Sequence, residues 1–188
     1  MADRSMSRGK GHTQREYAVI GLGGFGGSLA RRLEAMGHMV LGVDGNVARV
    51  QDIADEITSA VALDATIEDA LQEVDIASFD TVVVALGHAF EASALVTSYL
   101  KEVGIRRVIC TAETRRHQKI LLRIGADQVI VPDVDSGLRL AETLAAPNFM
   151  ERVLFDTEHS VIELKTPHSL AGQPAAAMER YGARVLLI

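Results

Sequence analysis

The sequence predicts an α/β protein with a Rossmann-like, doubly wound parallel sheet of six strands, followed by the start of a small α+β subdomain. Short β-branched runs alternate with amphipathic helical segments through six consecutive units. Continuous apolar runs such as TVVVAL, residues 81–86, are typical of strands buried on both faces. The segment YAVIGLGGFGGSLARRLEAMGHMVLGVD, residues 17–44, places a glycine-rich turn between a strand and a helix. Together these features indicate a parallel sheet with helices on both faces.

Each strand is assigned to a run of four or five residues, and each helix to a 3.6-residue period. The predicted strands are Tyr17–Ile20, Val40–Val43, Ser59–Leu63, Thr81–Ala85, Val108–Thr111 and Gln128–Val131. The predicted helices are Gly24–Met36, Asn46–Glu56, Ile67–Val74, Phe90–Val103, Arg115–Ile124 and Val134–Ala145. Gly37, Gly104 and Gly125 follow helix ends, where a left-handed residue closes the last turn. Met36 and the apolar stripe Leu95–Leu100 are predicted to lie in the core.

Pro147 and Asn148 end the alternation and divide the chain. The prediction is a disordered lead-in at 1–15, a Rossmann-like nucleotide-binding domain at 16–147, a linker or dimer-contact segment at 148–158 and a partial second subdomain at 159–188. Within the last part, SVIELKT alternates like a half-exposed strand, PAAAMERYG has a helical pattern and ARVLLI reads as a strand. About thirty residues bury little core alone, so we expect this part to be truncated or completed by a partner.

Composition excludes several classes of protein. The chain has 188 residues, 48% of them apolar and 4% aromatic, with no Trp, so its core must be aliphatic. The net charge of −6 argues against a non-specific nucleic-acid binder. The single Cys110 excludes an internal disulfide and fits a reducing compartment. No apolar run reaches the roughly 18 residues of a membrane span, and the polar start has no signal-peptide core. These features predict a soluble, cytoplasmic protein.

The glycine-rich turn predicts a dinucleotide-type pocket. Gly21, Gly23 and Gly26 have G-x-G-x-x-G spacing, and Gly24 and Phe25 lie between them. Such glycines allow a tight turn, a close approach of a diphosphate and close packing of helix on strand, with the helix N-terminus facing the phosphates. Asp44 ends the second strand, 18 residues beyond Gly26, where a carboxylate accepts both ribose hydroxyls and repels a 2′-phosphate. The alternative is a glycine-rich turn without a ligand.

Other loops at the carboxyl ends of the strands line the same crevice. Asn46 either assists Asp44 or caps the next helix. Asp64 is an adenine contact or the cap of a short helix, with the contact slightly favoured. Gly87 lets backbone approach the ligand, or is an ordinary loop glycine. His88 is predicted to lie closer to the pocket than His117, and a ligand contact is the less favoured interpretation of it.

Several further polar residues have simpler explanations. Asp133 and Asp135 could bind a divalent cation through oxygen ligands, and helix capping is at least as good an explanation. Glu91 and Ser93 fit a helix first turn better than a ligand site. His117 fits a solvated helix face. Cys110 fits a buried strand position.

The same loops carry a resemblance to a known family. Segments EYAVIGLGGFGGSLARRLEAMGHMVLGVD, LDAT, VALGHAFEAS, HQKILLRIGADQVIVPD and DSGLRLAETL together resemble the RCK/KTN domain, also called TrkA-N. This domain occurs in regulatory subunits of bacterial potassium uptake systems of the KtrA and TrkA type. The tail SVIELKTPHSLAGQPAAAMERYGARVLLI resembles the start of the family's C-terminal RCK subdomain.

The resemblance implies a regulator that binds ATP, ADP or NAD(H), and not a catalyst. It implies a homodimer, often an eight-membered ring, that docks on the cytoplasmic face of a membrane potassium translocator and changes shape when nucleotide is exchanged. It implies nucleotide contacts at Gly21, Gly23, Gly24, Phe25, Gly26, Asp44, Asn46, Asp64, Ala65, Thr66, Ala85, Gly87 and Thr111. It also implies a Mg²⁺ or Ca²⁺ ion at Asp133.

Three departures from the family pattern change the expected ligand preference. Arg is common at the position of Gly24, and Lys or Arg at that of Thr111. The usual Pro-Glu pair is Pro132-Asp133 here, which shortens the acid by one methylene. Because two positive charges are lost, we expect ADP or NAD(H) to be favoured relative to ATP.

Two other functions compete with the regulatory one. An NAD-dependent oxidoreductase would need a substrate domain and a proton-transfer residue beside the nicotinamide. A free-standing protein would use its half-domain only for self-association. The segments Ser136–Ala145 and Phe149–Phe155 are the candidates for a dimer contact.

Overall fold

A computed structural model describes residues 14–145, 149–154 and 160–164, together with residues 172 and 174. Its strands are β1 Glu16–Ile20, β2 Met39–Asp44, β3 Ser59–Ala62, β4 Thr81–Val84, β5 Arg107–Thr111, β6 Gln128–Ile130, β7 Phe149–Leu154 and β8 Ser160–Leu164. Its helices are α1 Gly24–Ala35, α2 Val47–Ile53, α3 Glu68–Glu73, α4 Phe90–Glu102, α5 Arg115–Ile124 and α6 Pro132–Ala145, with a 3₁₀ turn at Ile76–Ser78. The predicted alternation of strands and helices is confirmed.

The first six strands form one parallel sheet in the order β3-β2-β1-β4-β5-β6. Strand β1 therefore lies between β2 and β4, with Ile20 paired to Val43 on one side and to Val84 on the other. The chain leaves β1 in one direction along the sheet and later returns to its other side. This reversal opens a crevice at the carboxyl ends of β1 and β4, which is where open α/β sheets bind ligands.

The core lies on both faces of this sheet and is almost entirely aliphatic. On one face, Leu71 of α3 and Leu100 of α4 pack with Ile20 and other strand residues. On the other face, Ala30 of α1 and Ile53 of α2 pack against residues that include Val19. Because successive strand residues point to opposite faces, the continuous apolar runs supply both clusters.

The core prediction for Met36 is wrong, and that for the stripe Leu95–Leu100 is confirmed at most of its positions but not at Leu95. Met36 is 48% exposed because it follows the last residue of α1 and points away from the sheet. Leu95 is 54% exposed, since α4 turns Ser93, Val96, Thr97 and Leu100 toward the interior. Those four positions follow the i, i+3, i+4, i+7 pattern of one helix face, and Leu95 is not on it.

Helix α6 starts two residues earlier than predicted, at Pro132, since proline suits a first helical position. Further along the chain, β7 and β8 form an antiparallel pair. β8 confirms the first five residues of the strand predicted for SVIELKT, and β7 lies inside the segment expected to be a linker. Residues 1–13 of the predicted lead-in at 1–15, the helix PAAAMERYG beyond Pro174 and the strand ARVLLI lie outside the described residues. No helix of the described ranges is long and apolar enough to cross a bilayer.

One electrostatic contact joins β5 to the loop before β6 and to α4. The Asp127 carboxylate accepts hydrogen bonds from the Val108 N–H at 2.7 Å and from Lys101 Nζ at 3.0 Å. Partial burial alone raises the pKa of Asp127, but these hydrogen bonds and the charge of Lys101 outweigh it and hold the pKa below its ordinary value. A lowered folded-state pKa adds stability above the unfolded-state pKa, and this stability is lost as the pH falls through the folded value.

We therefore expect Asp127→Asn to lower the free energy of unfolding at pH 7 by about 1 kcal/mol, a modest value because the carboxylate is 40% exposed. The difference from the unmodified protein should shrink as the pH falls below the ordinary Asp pKa of about 3.9 and through the lowered pKa of the folded state. Urea unfolding across the pH range measures both effects. Asp55→Asn, an exposed position in the turn after α2, is the matched control. An equal loss at pH 3 and pH 7 would contradict this assignment.

Candidate functional site

Two glycines shape the turn that leaves β1. Gly21 has a φ of +96°, a conformation that side chains disfavour, and its N–H donates to the Val43 carbonyl at 2.7 Å. A Cβ atom on Gly26 would collide with the Gly21 carbonyl oxygen and would also meet the side chain of Ala85. Helix α1 can therefore lie this close to β1 only with glycine at both positions. The predicted residues Gly21, Gly26 and Ala85 are in direct contact.

The N-terminus of α1 faces the crevice with free backbone donors. Gly23 precedes the helix without a side-chain cap, and the first helical hydrogen bond runs from the Gly27 N–H to the Gly23 carbonyl at 2.8 Å. The N–H groups of Gly24, Phe25 and Gly26 therefore have no acceptor within the helix. The first turn has no acidic residue, and a Cβ on Gly24 would meet nothing within 4 Å. This end of α1 can bind an anion such as a phosphate at close range.

The carboxylate of Asp44 joins the two turns beside this helix end. Buried at the end of β2, it accepts the Leu22 N–H through Oδ2 and the Asn46 N–H through Oδ1, both at 2.7 Å. Arg49 Nη1 lies 3.4 Å from Oδ2. Each carboxylate oxygen has two acceptor positions, so Oδ1 can accept one further hydroxyl, while the second position of Oδ2 faces the exposed Arg49 in a long contact. Asp44 can accept the two vicinal hydroxyls of a ribose if one of them replaces Arg49 at Oδ2.

Two neighbouring side chains have local roles that the sequence left open. Asn46 caps α2, because its Oδ1 accepts the Ala48 N–H at 2.9 Å. Asp64 stabilises the turn after β3 by accepting the N–H of Thr66 at 2.9 Å and its hydroxyl at 2.7 Å, and Ile67 is the residue that precedes α3. The hydrogen bonds from the hydroxyl and N–H of Thr66 lower the pKa of Asp64. The turn that contains Ala65 therefore presents an ionised carboxylate at the same edge of the sheet.

The ends of β4 and β5 touch each other across the second half of the crevice. A Cβ on Gly87 would lie 2.9 Å from the hydroxyl oxygen of Thr111, which is buried. Thr111 therefore stands where the crevice continues beyond β4, and it contributes a hydroxyl and no charge. His88, exposed on the same loop, lies 3.8 Å from Glu113 across to the next loop.

Of two residues that the sequence assigned to simple structural positions, His117 is placed differently and Cys110 is placed as predicted. The expected solvated position of His117 is wrong: its ring stacks on Phe90 with centroids 4.5 Å apart, and its Nδ1 is buried without a partner among the described residues. The stack forms because both residues belong to the first turns of adjacent helices, α4 and α5. Cys110 is buried in β5 beside Thr97, 3.2 Å away, and burial raises the pKa of its thiol.

The two acidic residues at the start of α6 differ in their surroundings. Asp135 accepts Arg115 Nη2 at 3.0 Å and the Val131 N–H at 3.3 Å, so it ties α6 to α5 and β6. Asp133 is exposed in the first helical turn. Among the described residues, no three acidic, His or Cys side chains come close enough to hold a metal ion. The cation site at Asp133 therefore stays a prediction.

A cleft opens beside the turn after β3, between two of the loops that were predicted to line the crevice. It has a volume of about 450 Å³ and is lined by Thr66 and by the first two turns of α4, namely Ala89, Phe90, Glu91, Ala92 and Leu95. For Glu91 the sequence favoured a helix first turn over a ligand site. Its i, i+4 spacing to Leu95, which places both on one helix face, is the sequence signal for the part of the cleft that reaches Leu95.

Comparison with known proteins gives a consistent family. The TrkA-N domain model matches residues 17–132. The Ktr system potassium uptake protein A of Bacillus subtilis is 37% identical over 177 residues, which cover 93% of this chain and 80% of that protein. The protein of the same name from Vibrio alginolyticus is 35% identical over 137 residues, 73% of this chain and 62% of that one.

Solved structures share the fold at lower identity. The GsuK channel superposes with a TM-score of 0.70 at 18% identity, covering 90% of this chain and 32% of that one. GsuK bound to NAD gives a TM-score of 0.56 at 18% identity, with 63% and 21% covered. The Kef C-terminal domain of Shewanella denitrificans in its AMP-bound form gives 0.60 at 21% identity, with 70% and 82% covered. The predicted Rossmann-like fold is confirmed.

The geometry of Asp44 predicts a cost for removing it even without ligand. We expect Asp44→Ala to lower the free energy of unfolding by about 2 kcal/mol or more, because the Leu22 and Asn46 N–H groups lose their acceptor. Asp64→Ala, at an exposed turn, should cost less than about 1 kcal/mol. Urea unfolding of the ligand-free protein measures both. If the two variants were equally stable, Asp44 would not be the tie between the turns.

Proposed function

Because this chain belongs to the TrkA-N domain family, we propose that it is a cytoplasmic, nucleotide-binding regulatory subunit that gates a potassium uptake transporter. The observation that carries the proposal is the pairing of Asp44 with the uncapped N-terminus of α1 at one edge of the sheet. One accepts ribose hydroxyls and the other binds phosphate, so together they fit a nucleotide. The names of the Ktr relatives supply the physiological setting, potassium uptake.

The proposed ligand is an adenine nucleotide, with ADP or NAD(H) preferred to ATP. Structural neighbours are described as bound to NAD, ADP and AMP. Near the phosphate end, Gly24 leaves open space and Thr111 contributes only a hydroxyl. A third phosphate adds charge that no cationic side chain at these two positions offsets. The extra phosphate of ATP therefore adds little to the binding free energy.

In this proposal the nucleotide acts by shifting a conformational equilibrium. A ligand can do this only by the difference between its affinities for the two states. The subunit would sit at the inner face of the membrane by docking on the potassium-translocating subunit, and exchange of nucleotide would alter that contact. Co-purification with the translocating subunit, and nucleotide-dependent potassium uptake, test this setting directly.

Binding is tested first by thermal melting with ATP, ADP, NAD⁺ and NADH, with and without Mg²⁺. A ligand at about 100 times its dissociation constant stabilises the folded state by about 2.7 kcal/mol, which is a clear shift in melting temperature. No shift with any of the four would refute the nucleotide site. Turnover of NADH with a panel of small alcohols and acids would instead favour an oxidoreductase.

The proposed partner in solution is a second copy of the chain, joined through α6. Val134, Leu138, Leu140 and Leu144 are exposed on this helix, and none of its residues is buried. They form two i, i+4 pairs that span roughly 160° of the helix circumference. An apolar face of this width is normally covered. Dimers of this kind could assemble further into a ring.

A divalent cation, Mg²⁺ or Ca²⁺, fits this dimer only if both copies supply a ligand. Asp135 is already paired with Arg115, which leaves the exposed Asp133 as the available carboxylate at this point of each chain. Oxygen ligands from two copies, together with water or a phosphate, would suit such an ion.

Substitutions at Gly24 test the phosphate end. We expect Gly24→Arg to tighten ATP binding about tenfold by adding a charge-assisted hydrogen bond to the terminal phosphate, and Gly24→Glu to weaken every nucleotide by a similar factor. Both side chains fit, because the space around this position is open. Isothermal titration calorimetry measures the affinities.

Ala35→Arg and Ala35→Glu are the matched controls. Ala35 is exposed at the opposite end of the same helix, about 16 Å away. They should leave the dissociation constants unchanged. Unmodified protein that binds ATP much more tightly than ADP and NADH would refute the proposed preference.

Substitution of Leu138 tests the dimer. Leu138→Asp puts a charge into the proposed apolar contact and should convert the dimer to a monomer in light scattering at micromolar concentration. Thr143→Asp, which adds the same charge on another side of α6, should leave the dimer intact. A dimer that tolerates Leu138→Asp would place the contact elsewhere.

A further inference from the structure

The cleft between Thr66 and the first two turns of α4 has a chemistry that selects one kind of base. We propose that Glu91 determines specificity in this cleft by accepting a hydrogen bond from the amino group of adenine. This inference rests on the proposed nucleotide site and adds the residue that distinguishes adenine from other purines. It depends on where the cleft starts, on what lines it, and on which hydrogen-bonding groups its walls present.

The cleft starts one strand beyond the ribose position. Asp44 is the last residue of β2 and pairs with Ala62, the last residue of β3. The chain stays next to it, because the Leu63 N–H donates to the Asp44 carbonyl at 3.2 Å. Thr66 follows three residues later and forms one wall of the cleft. A base attached to a ribose at Asp44 therefore has this opening beside it.

The lining suits a flat apolar ring with a polar edge. Ala89, Ala92, Phe90 and Leu95 supply apolar surface, and Leu95 is more than half exposed in a helix whose other face is buried. Ligand pockets are mostly apolar, with a few polar groups that fix orientation. The volume of about 450 Å³ is within the range of small-molecule sites. Burial of Leu95 under a base would give its exposure a function.

Both polar side chains of the cleft are acceptors. The Thr66 hydroxyl donates its single hydrogen to Asp64 at 2.7 Å, which leaves it only lone pairs. The Glu91 carboxylate has no donor to offer and makes no ion pair or hydrogen bond among the described residues. Glu91 therefore needs a donor from the ligand, whereas the N–H groups of Phe90, Glu91 and Ala92, which have no acceptor in the first turn of α4, can donate to a ring nitrogen beside it. Adenine has an amino group at this edge, whereas hypoxanthine and guanine have a carbonyl oxygen that two acceptors would repel.

Glu91 also lies in a helix first turn, where a carboxylate stabilises the helix through its dipole. That role predicts a loss of stability on substitution and no change in base selectivity. Glu68 occupies the corresponding first turn of α3 and does not line the cleft. Glu68→Gln is therefore the matched control for Glu91→Gln.

The experiment measures dissociation constants for ADP and IDP by calorimetry on the full chain, with melting temperatures as a check on folding. IDP differs from ADP in carrying a carbonyl oxygen in place of the amino group. We expect the unmodified protein to prefer ADP by about tenfold or more, since a site built for a donor rejects an analogue that lacks it. Glu91→Gln should bring the ratio close to one, because its amide can donate to the oxygen. Glu68→Gln should leave the ratio unchanged.

Each outcome separates this inference from the proposed function. Equal affinities for ADP and IDP in the unmodified protein, or a ratio that Glu91→Gln does not change, would overturn the role of Glu91 and leave the nucleotide site intact. Absence of binding by either nucleotide would overturn the proposed function and this inference with it. Glu91→Asp, which keeps the carboxylate on a shorter stem, should retain the preference for ADP.

Discussion

The carboxylate of Asp44 is the contact on which the rest of the site depends. It binds the N–H groups of Leu22 and Asn46 in two successive turns. Both turns leave the sheet at its carboxyl edge, so one buried side chain sets their separation. Both partners of each hydrogen bond belong to the chain itself, so this one side chain fixes the two turns that border the proposed pocket.

Close packing around β1 is the second constraint, and it is steric. The carbonyl of Gly21 occupies the space in which a Cβ of Gly26 would lie, and Ala85 closes the same point from β4. Helix α1 is thereby held against the strand with its N-terminus at the crevice. The topology supplies the crevice itself, since β1 separates β2 from β4. Chain order, small residues and one buried acid together place backbone donors beside a carboxylate.

Much of this could be predicted from sequence because the signals are local. Strands buried on both faces give continuous apolar runs, and the turn of Gly21 and Gly26 has a fixed spacing. The dual possibilities at Asn46 and Asp64 could not be resolved, since capping and ligand contact require the same polar groups. Structure shows that Asn46 caps α2 and that Asp64 holds Thr66, with lone pairs remaining on each.

What sequence missed depends on contacts between distant segments. Phe90 and His117 stack although 27 positions separate them, and no pattern around either residue indicates the pairing. Leu95 belongs to an apolar stripe in the sequence. Which face of α4 is buried is decided by its packing on Val84 of β4 and Val108 of β5, and a helical period alone does not show this. The place of Leu95 in the cleft was missed for the same reason, because the two walls of the cleft come from the turn after β3 and from α4.

The proposed site has an adenosine half and a phosphate end, and this arrangement limits how it can distinguish nucleotides. ATP, ADP and NAD share the adenosine half, so in the proposed site contacts at Asp44 and in the cleft would contribute similarly to all of them. An interaction equal for every ligand cannot distinguish one ligand from another, and it shifts a conformational equilibrium equally for each. The difference between nucleotides would therefore be read at the phosphate end, which is bordered by the N-terminus of α1 and by the ends of β4 and β5, where Gly87 lies beside Thr111. Since these groups come from separate βα units, a change in the number or charge of bound phosphates would act on the spacing between them in the proposed mechanism.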